Sequence, residues 1–375
     1  MTEYTRVLPT PIGKYVVGIT HMEFEYTGYE NELRRIPLTI FYPADSTEGK
    51  ESAPYAFSEV AANVNVQKAF QETKTHCYPN VAVSVKQASY PVIFFNMGYG
   101  GHEMQSTVLC SDLASSGYLV ASIGHPGEAS VVRYQDNSVV PIKPEYLAWM
   151  SSDELFRTIM PLFEEFKTVD ENDDARLVDM GRQFYALQGM INGRVKVWVL
   201  DSIRTADFIE KVNSGEIPSI FECKLSVENG IGLTGHSFGG NTAIQALYEE
   251  SRFVCGINCD GGHFGETYGV DICKPLLSIG NPYIWKMLKA VFLDNSADAF
   301  HVTIDETDHL GFSDTLFLAV EPGEKERIGT RDPQNLRQVL TAYHLAFYEK
   351  YLLKSNLEFG DLGYAGTRFY EKRAA

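Results

Sequence analysis

The stretch from Asn229 to Asn241, NGIGLTGHSFGGN, carries the residues of two different chemistries. Gly230, Gly232 and Gly235 spell G-x-G-x-x-G, the spacing that lets a backbone approach a dinucleotide pyrophosphate. Gly235, Ser237 and Gly239 spell G-x-S-x-G, a sharp turn that lifts a serine hydroxyl above the end of a strand. A dinucleotide loop needs a buried strand ending at its first glycine. Before Gly230 stands KLSVEN, which puts Lys224, Glu228 and Asn229 in that place, while the apolar pair Ile231 and Leu233 falls inside the glycine pattern. Asp260 does lie at about the separation expected of a ribose-binding acid, so the oxidoreductase reading keeps one supporting residue. The serine turn fits better. GIGLTG reads as the strand, His236-Ser237-Phe238 as the turn and GGNTAIQALYEE as the helix, with small residues on both sides of the serine where strand and helix backbones must approach.

A serine needs a base to become a nucleophile, an acid to orient the base, and donors for the charge that develops on the substrate oxygen. Of the nine histidines, His309 is the best placed, in the loop after the last apolar strand, FHVTIDETDHLGF. His236 belongs to the turn itself and points elsewhere, and His344 sits in a closing helix as a structural residue. His21 and His76 lie early in the chain; His102, His125 and His263 are near strand ends, as pocket or ordinary loop histidines. In many hydrolases the acid follows the second strand after the nucleophile, but that segment here is SIGNPYIW, without a carboxylate. The next strand after the serine ends at Asp260, which is the first choice, with Asp271 and Asp294 as rivals; Asp305 and Asp308 are too close in sequence to His309 to orient it easily. Backbone N–H donors are expected from Phe238, after the serine, and from Tyr99 in the glycine loop NMGYGG. Met97 and Phe312 are expected to line an apolar substrate pocket.

These residues need a frame that brings strand ends together, and the rest of the sequence supplies one. KYVVGITHMEFEY and RRIPLTIFYPA read as an opening antiparallel hairpin. Short apolar strands then alternate with helical patterns, from YPVIFFN to the closing helix NLRQVLTAYHLAFYEKYLLK, which implies a mostly parallel central sheet with helices on both faces. The fold class is α/β. Residues 1–375 are read as one domain, interrupted at 127–193 by a segment without a clear buried strand, either a helical cap or lid over the site or a surface elaboration.

Composition narrows the function further. A net charge of −17 argues against nucleic acid and anionic membranes as partners and serves solubility. No stretch is long and apolar enough to span a bilayer, and the N-terminus lacks the pattern of a signal peptide. The six cysteines contain no C-x-x-C pair and read as reduced, mostly buried thiols. A cytoplasmic location is expected, with a homo-oligomer open. DENDDARLVDMG begins like a calcium loop, but Ala175 and Gly181 occupy positions that require glycine and glutamate. No H-E-x-x-H occurs, and neither metal nor organic cofactor is expected.

GHSFGG, the aspartate of CGINCDGG and HLGFSD together resemble the plasma-type platelet-activating factor acetylhydrolases and their bacterial relatives, which are α/β-hydrolase-fold serine esterases. YPVIFFNMGYGGHEMQSTVLCSDLASSGYLVASIGHPGEAS is similar to their oxyanion-loop region, although Met97 stands where the family usually has histidine. The resemblance implies Ser237 as nucleophile, Asp260 as acid, His309 as base and Tyr99 and Phe238 as oxyanion donors. The early position of the acid is this family's habit. The expected function is hydrolysis of small carboxylic esters, acetyl or other short acyl, with platelet-activating-factor-like lipids among the candidates. Acyl transfer, amide hydrolysis and a non-catalytic ligand-binding module are the alternatives.

Overall fold

Seven residues, YPVIFFN, form the strand β4 (Tyr90–Asn96), and all but one are buried, as a strand covered on both faces requires. The computed structural model describes residues 6–57, 68–150, 152–262, 264–267, 269–318 and 322–374; His263 lies outside them. The opening hairpin pairs β1 (Val16–Thr27) with β2 (Leu33–Ala44) in antiparallel register over twelve residues. Beside β1 lies the short β3 (Cys77–Pro79). The remaining strands are β5 (Leu119–Ile123), β6 (Ile231–His236), β7 (Phe253–Cys259), β8 (Leu276–Gly280), β9 (Ala299–Ile304) and β10 (Thr367–Lys372).

Across the sheet the order is β10-β9-β8-β7-β6-β4-β5-β2-β1-β3, and Leu225–Ser226 adds a short parallel pairing to the start of β4. The run from β5 to β9 is parallel throughout. Parallel strands reach the same sheet edge with their C-termini, and this is where α/β folds build sites. β2 meets β5 and β10 meets β9 in antiparallel fashion, so the non-parallel strands lie towards the flanks.

Helices fill the crossovers. The first, α1 (Thr107–Ser116), ends on Gly117 at φ 112°, a left-handed cap that a side chain would strain. Residues 153–213 form α2 (Asp153–Thr168), α3 (Asp174–Leu187) and α4 (Met190–Asn213). Then come α5 (Phe238–Glu249), α6 (Pro282–Asp294), with Asn281 as N-cap and proline in its first turn, and the closing α7 (Pro333–Tyr351). Nearly every side chain of α5 is buried between sheet and α4, which explains its apolar, small-residue sequence.

Two features depart from the sequence reading. Within 127–193 a hairpin joins Val131–Arg133 to Val139–Pro141, and Val131 and Val132 are buried; three residues are too few to show a strand's alternation. β10 follows the closing helix, where no strand is expected. As a half-exposed edge strand of sequence TRFYEK it carries no continuous apolar run. The acidic DENDDA is a turn that leads into α3, with Asp173 accepting the Arg176 N–H at 3.0 Å as its cap. Helices α2 and α3 bury Ile159, Leu162, Phe166, Leu177, Met180 and Phe184 against Ile284, Met287 and Leu288 of α6, a core separate from the main one. Such side chains contribute roughly 1.5–3 kcal/mol each when fully buried. The six thiols are unpaired, with Cys77, Cys110, Cys255 and Cys259 buried and Cys223 and Cys273 exposed.

Candidate active site

Gly232 and Gly235 lie within β6, and the turn comes after them, at Ser237. The strand ahead of Gly230 is only the two-residue Leu225–Ser226, and with Gly232 and Gly235 inside β6 the dinucleotide reading lacks its structural frame. Ser237 has φ 57° and ψ −125°, outside the regions a non-glycine residue favours. The turn holds because its N–H donates to the Cys259 carbonyl (2.9 Å) and its carbonyl accepts from Gly240 (2.9 Å). Glycine is required at Gly239, where a Cβ would meet the Asn96 and Met97 carbonyl oxygens at 2.2 Å, and at Gly235, where it would meet the Gly239 carbonyl at 2.3 Å. The strain at the serine is thus maintained by packing against the loop after β4.

Three strand ends bring three side chains together. Asp260 follows β7 directly, is fully buried, and has φ 52°. His309 opens a short 3-10 helix (His309–Phe312) in the loop after β9. The His309 Nδ1–H donates to Asp260 Oδ2 at 2.6 Å, and its Nε2 accepts from the Ser237 hydroxyl at 2.9 Å. Asp308 accepts the His309 backbone N–H through its carboxylate and caps the 3-10 helix, so it holds the base by the backbone. Asp271 accepts backbone N–H groups of Cys273 and Ser296, and Asp294 ends α6.

His236 reaches the base from behind. Its Nε2–H donates to the His309 carbonyl at 3.0 Å, and its Nδ1 accepts from Gln105 Nε2 at 3.0 Å. Burial first, and the neighbouring His309 second, push its pKa down to about 3, which keeps it neutral. Gln105 also accepts the Gly98 N–H at 3.1 Å, so one amide links the glycine loop to the histidine that supports the base. The sequence reading missed Gln105, for which no motif exists, and described His236 only as pointing away from the serine.

Phe238 opens α5, where a backbone N–H has no intrahelical acceptor. Its ring packs edge-on against Tyr99 (5.4 Å) and Trp198 (4.8 Å). Trp198 is fully buried and stacks on His125 at 3.8 Å. His125 donates its Nδ1–H to Asp201 at 2.7 Å and pairs through Nε2 with the Asn96 side chain at 3.0 Å. Asp201 in turn holds Arg34 by two hydrogen bonds of 2.8 Å. This second histidine–aspartate pair faces an asparagine where the first faces a serine, and it serves as a buried footing for the glycine loop. His102 packs edge-on against Tyr55.

Two expectations need correction. Met97 is fully buried in the core beneath Gly239, and Phe312 is 4 % exposed, lining a cavity of about 30 Å³ with Ser106, Cys259 and Asp314. Neither side chain offers a surface to a substrate, because each fills core volume behind the site. Phe264, which touches both Phe238 (5.4 Å) and Phe184 of α3 (6.0 Å), is the aromatic that connects the serine turn to the helical segment.

Comparison with known proteins gives the family and the fold. The family model described as platelet-activating factor acetylhydrolase, isoform II, matches residues 2–365. Platelet-activating factor acetylhydrolase of Gallus gallus is 26% identical over 281 residues, which is 70% of this chain and 62% of the chicken protein, so the match spans less than two thirds of that relative. The Bos taurus protein of the same name is 27% identical over 332 residues, 83% of this chain and 69% of its own. Among solved structures, a ferulic acid esterase from Streptomyces cinnamoneus superposes with a TM-score of 0.73 over 97% of this chain and 99% of its own, at 18% identity, which shows a shared α/β-hydrolase fold. Among the described residues no helix is long and apolar enough to cross a membrane.

Proposed function

We propose that this chain, which belongs to the platelet-activating factor acetylhydrolase, isoform II, family of carboxylic ester hydrolases, opens its ester through an acyl-enzyme formed on Ser237. The observation that carries the mechanism is the continuous hydrogen-bonded chain from the Ser237 hydroxyl through the His309 ring to Asp260. Ser237 Oγ attacks the ester carbonyl carbon while His309 Nε2 takes the hydroxyl proton. The tetrahedral intermediate collapses, the alcohol leaves with the proton from His309, and the acyl group stays on Oγ. Water, deprotonated by the same nitrogen, then attacks the acyl carbon, and Ser237 Oγ leaves with the proton from His309 as the acid is released. Asp260 fixes the tautomer with Nδ1–H and stabilises the imidazolium. The N–H groups of Phe238 and Tyr99 receive the oxyanion.

The substrate we assign is an ester with a short acyl group, acetyl above all. The names of the relatives support this, and so does the crowding of Tyr99, Trp198, Phe238 and Phe264 around the serine turn. We further propose that the helices within 127–193 form the cap, on the support of their packing on α6 and Phe264. The test is a p-nitrophenyl ester series from acetyl to long acyl, with a 2-acetyl glycerophospholipid alongside, on wild type and Ser237→Ala. Hydrolysis should be fastest for acetyl and fall by on the order of a million-fold in the variant. A preference for long acyl chains, or activity that survives in the variant, would overturn the reading.

A further inference from the structure

Asn281 occupies the first position after β8, where many hydrolases of this architecture carry their acid, and it is buried beside Asp260. Its backbone N–H donates to Asp260 Oδ1 at 2.7 Å and its Nδ2–H donates to Asp260 Oδ2 at 3.1 Å. Its Oδ1 accepts the N–H groups of Tyr283 (2.9 Å) and Ile284 (3.3 Å) as the N-cap of α6. The amide therefore has one orientation. Turned over, it would set an oxygen against the carboxylate and an NH2 group against two N–H donors. A Cβ at the neighbouring Gly280 would lie 2.9 Å from Asp260 Oδ1, so a side chain there would crowd the carboxylate out of this position.

We propose that Asn281 is the positioning residue of the acid: it holds Asp260 with Oδ2 turned to His309, and ties that orientation to the start of α6. The inference rests on the reading of Asp260 as the acid. Both oxygens of the carboxylate are held by donors, so the imidazole meets one of them in one direction. The charge, buried away from water, is compensated by donors instead of by a cation, which leaves the pull on the imidazolium undiluted. Because α6 also carries Ile284, Met287 and Leu288, the same joint connects the acid to the packing of α2 and α3. The titratable groups that meet this unit among the described residues are His309, in contact with Asp260, the buried Cys259 thiol beside Asp260, Asp308, whose carboxylate holds the His309 N–H, and His236, whose ring is 4.8 Å from that of His309.

The test separates the cap from the donor. Aspartate caps a helix as well as asparagine does, so Asn281→Asp keeps α6 but replaces a donor by a second carboxylate. Asn281→Ala loses both functions. For wild type, both variants and Ser237→Ala, we would measure the thermal midpoint and the pH profile of kcat/KM for p-nitrophenyl acetate. Asn281→Asp keeps the cap but sets a second buried carboxylate against Asp260, so it is expected to melt below wild type while kcat/KM falls about ten- to a hundredfold. The acid limb of its profile should move to higher pH, because two carboxylates facing one imidazole favour its protonated form. Asn281→Ala should lose activity and melt lower. A wild-type profile and rate in Asn281→Asp would overturn the proposal and leave Asn281 a helix cap alone. Undiminished hydrolysis in Ser237→Ala would instead overturn the reading of the site on which the proposal rests.

Discussion

His309 Nδ1 and Asp260 Oδ2 stand 2.6 Å apart, although the two residues come from strands separated by β8 in the sheet. The acid thus follows the strand beside that of the serine, and the base must reach back across β8 to meet it. The segment after β8 can then take another role, and Asn281 fills it with an amide that serves the acid.

Asp260→Asn keeps the shape of the site but removes the charge that fixes the imidazole tautomer. We expect kcat to fall by about 10⁴, with a lower melting temperature because the amide NH2 then faces a buried donor. Steady-state kinetics and a thermal melt on the same preparation check this; a loss below tenfold would assign the orienting role to another carboxylate.

Gln105 touches neither serine nor base, yet its side chain bonds Gly98 N–H and His236 Nδ1. Gln105→Leu leaves both groups buried without a partner, at a cost of about 1–3 kcal/mol each. Stability should drop by that order. Because the glycine loop and the support of His309 both loosen, kcat should fall about ten- to a hundredfold, with KM changing less. Equal activity at reduced stability would show that the network only serves the fold.

His344 lies buried in α7, its Nδ1–H donating to the Leu340 carbonyl (2.8 Å) and its Nε2 accepting from the Thr234 hydroxyl (3.2 Å). Burial pushes its pKa down to about 4, from an ordinary value of 6.5. Between these values the unfolded chain binds a proton that the native protein refuses, so the stability it supports is present above pH 6.5 and is lost as pH falls towards 4. In His344→Gln that component is absent. Urea titrations at pH 7.5, 6 and 5 should show the variant losing less on acidification than wild type, by up to about 1.4 kcal/mol per pH unit. Parallel losses in the two proteins would mean that the native state already binds that proton.

The frame was legible in the sequence because its strands are continuous apolar runs. YPVIFFN and the strand before Ser237 are buried over almost their whole length, and the glycines around the serine admit one turn geometry. Strand ends then limited the candidates for base and acid to a few residues, which the fold brings into contact. What was not legible is what depends on side-chain reach across the sheet. Gln105 comes from the loop before α1 and Asn281 from the N-cap of α6; nothing in their own neighbourhoods in sequence shows that they meet His236 and Asp260. Met97 and Phe312 misled for a related reason: an apolar residue next to a catalytic motif can face the core as readily as the substrate, and here both face the core.

The central claim is that Ser237 is activated by its place in this chain of hydrogen bonds, and covalent labelling tests it most directly. Folded protein treated with a fluorophosphonate probe, digested and mapped by mass spectrometry, should carry one equivalent on the peptide that contains Ser237, and none in Ser237→Ala. Failure of the folded wild type to label, or a label on a different serine, would contradict the account.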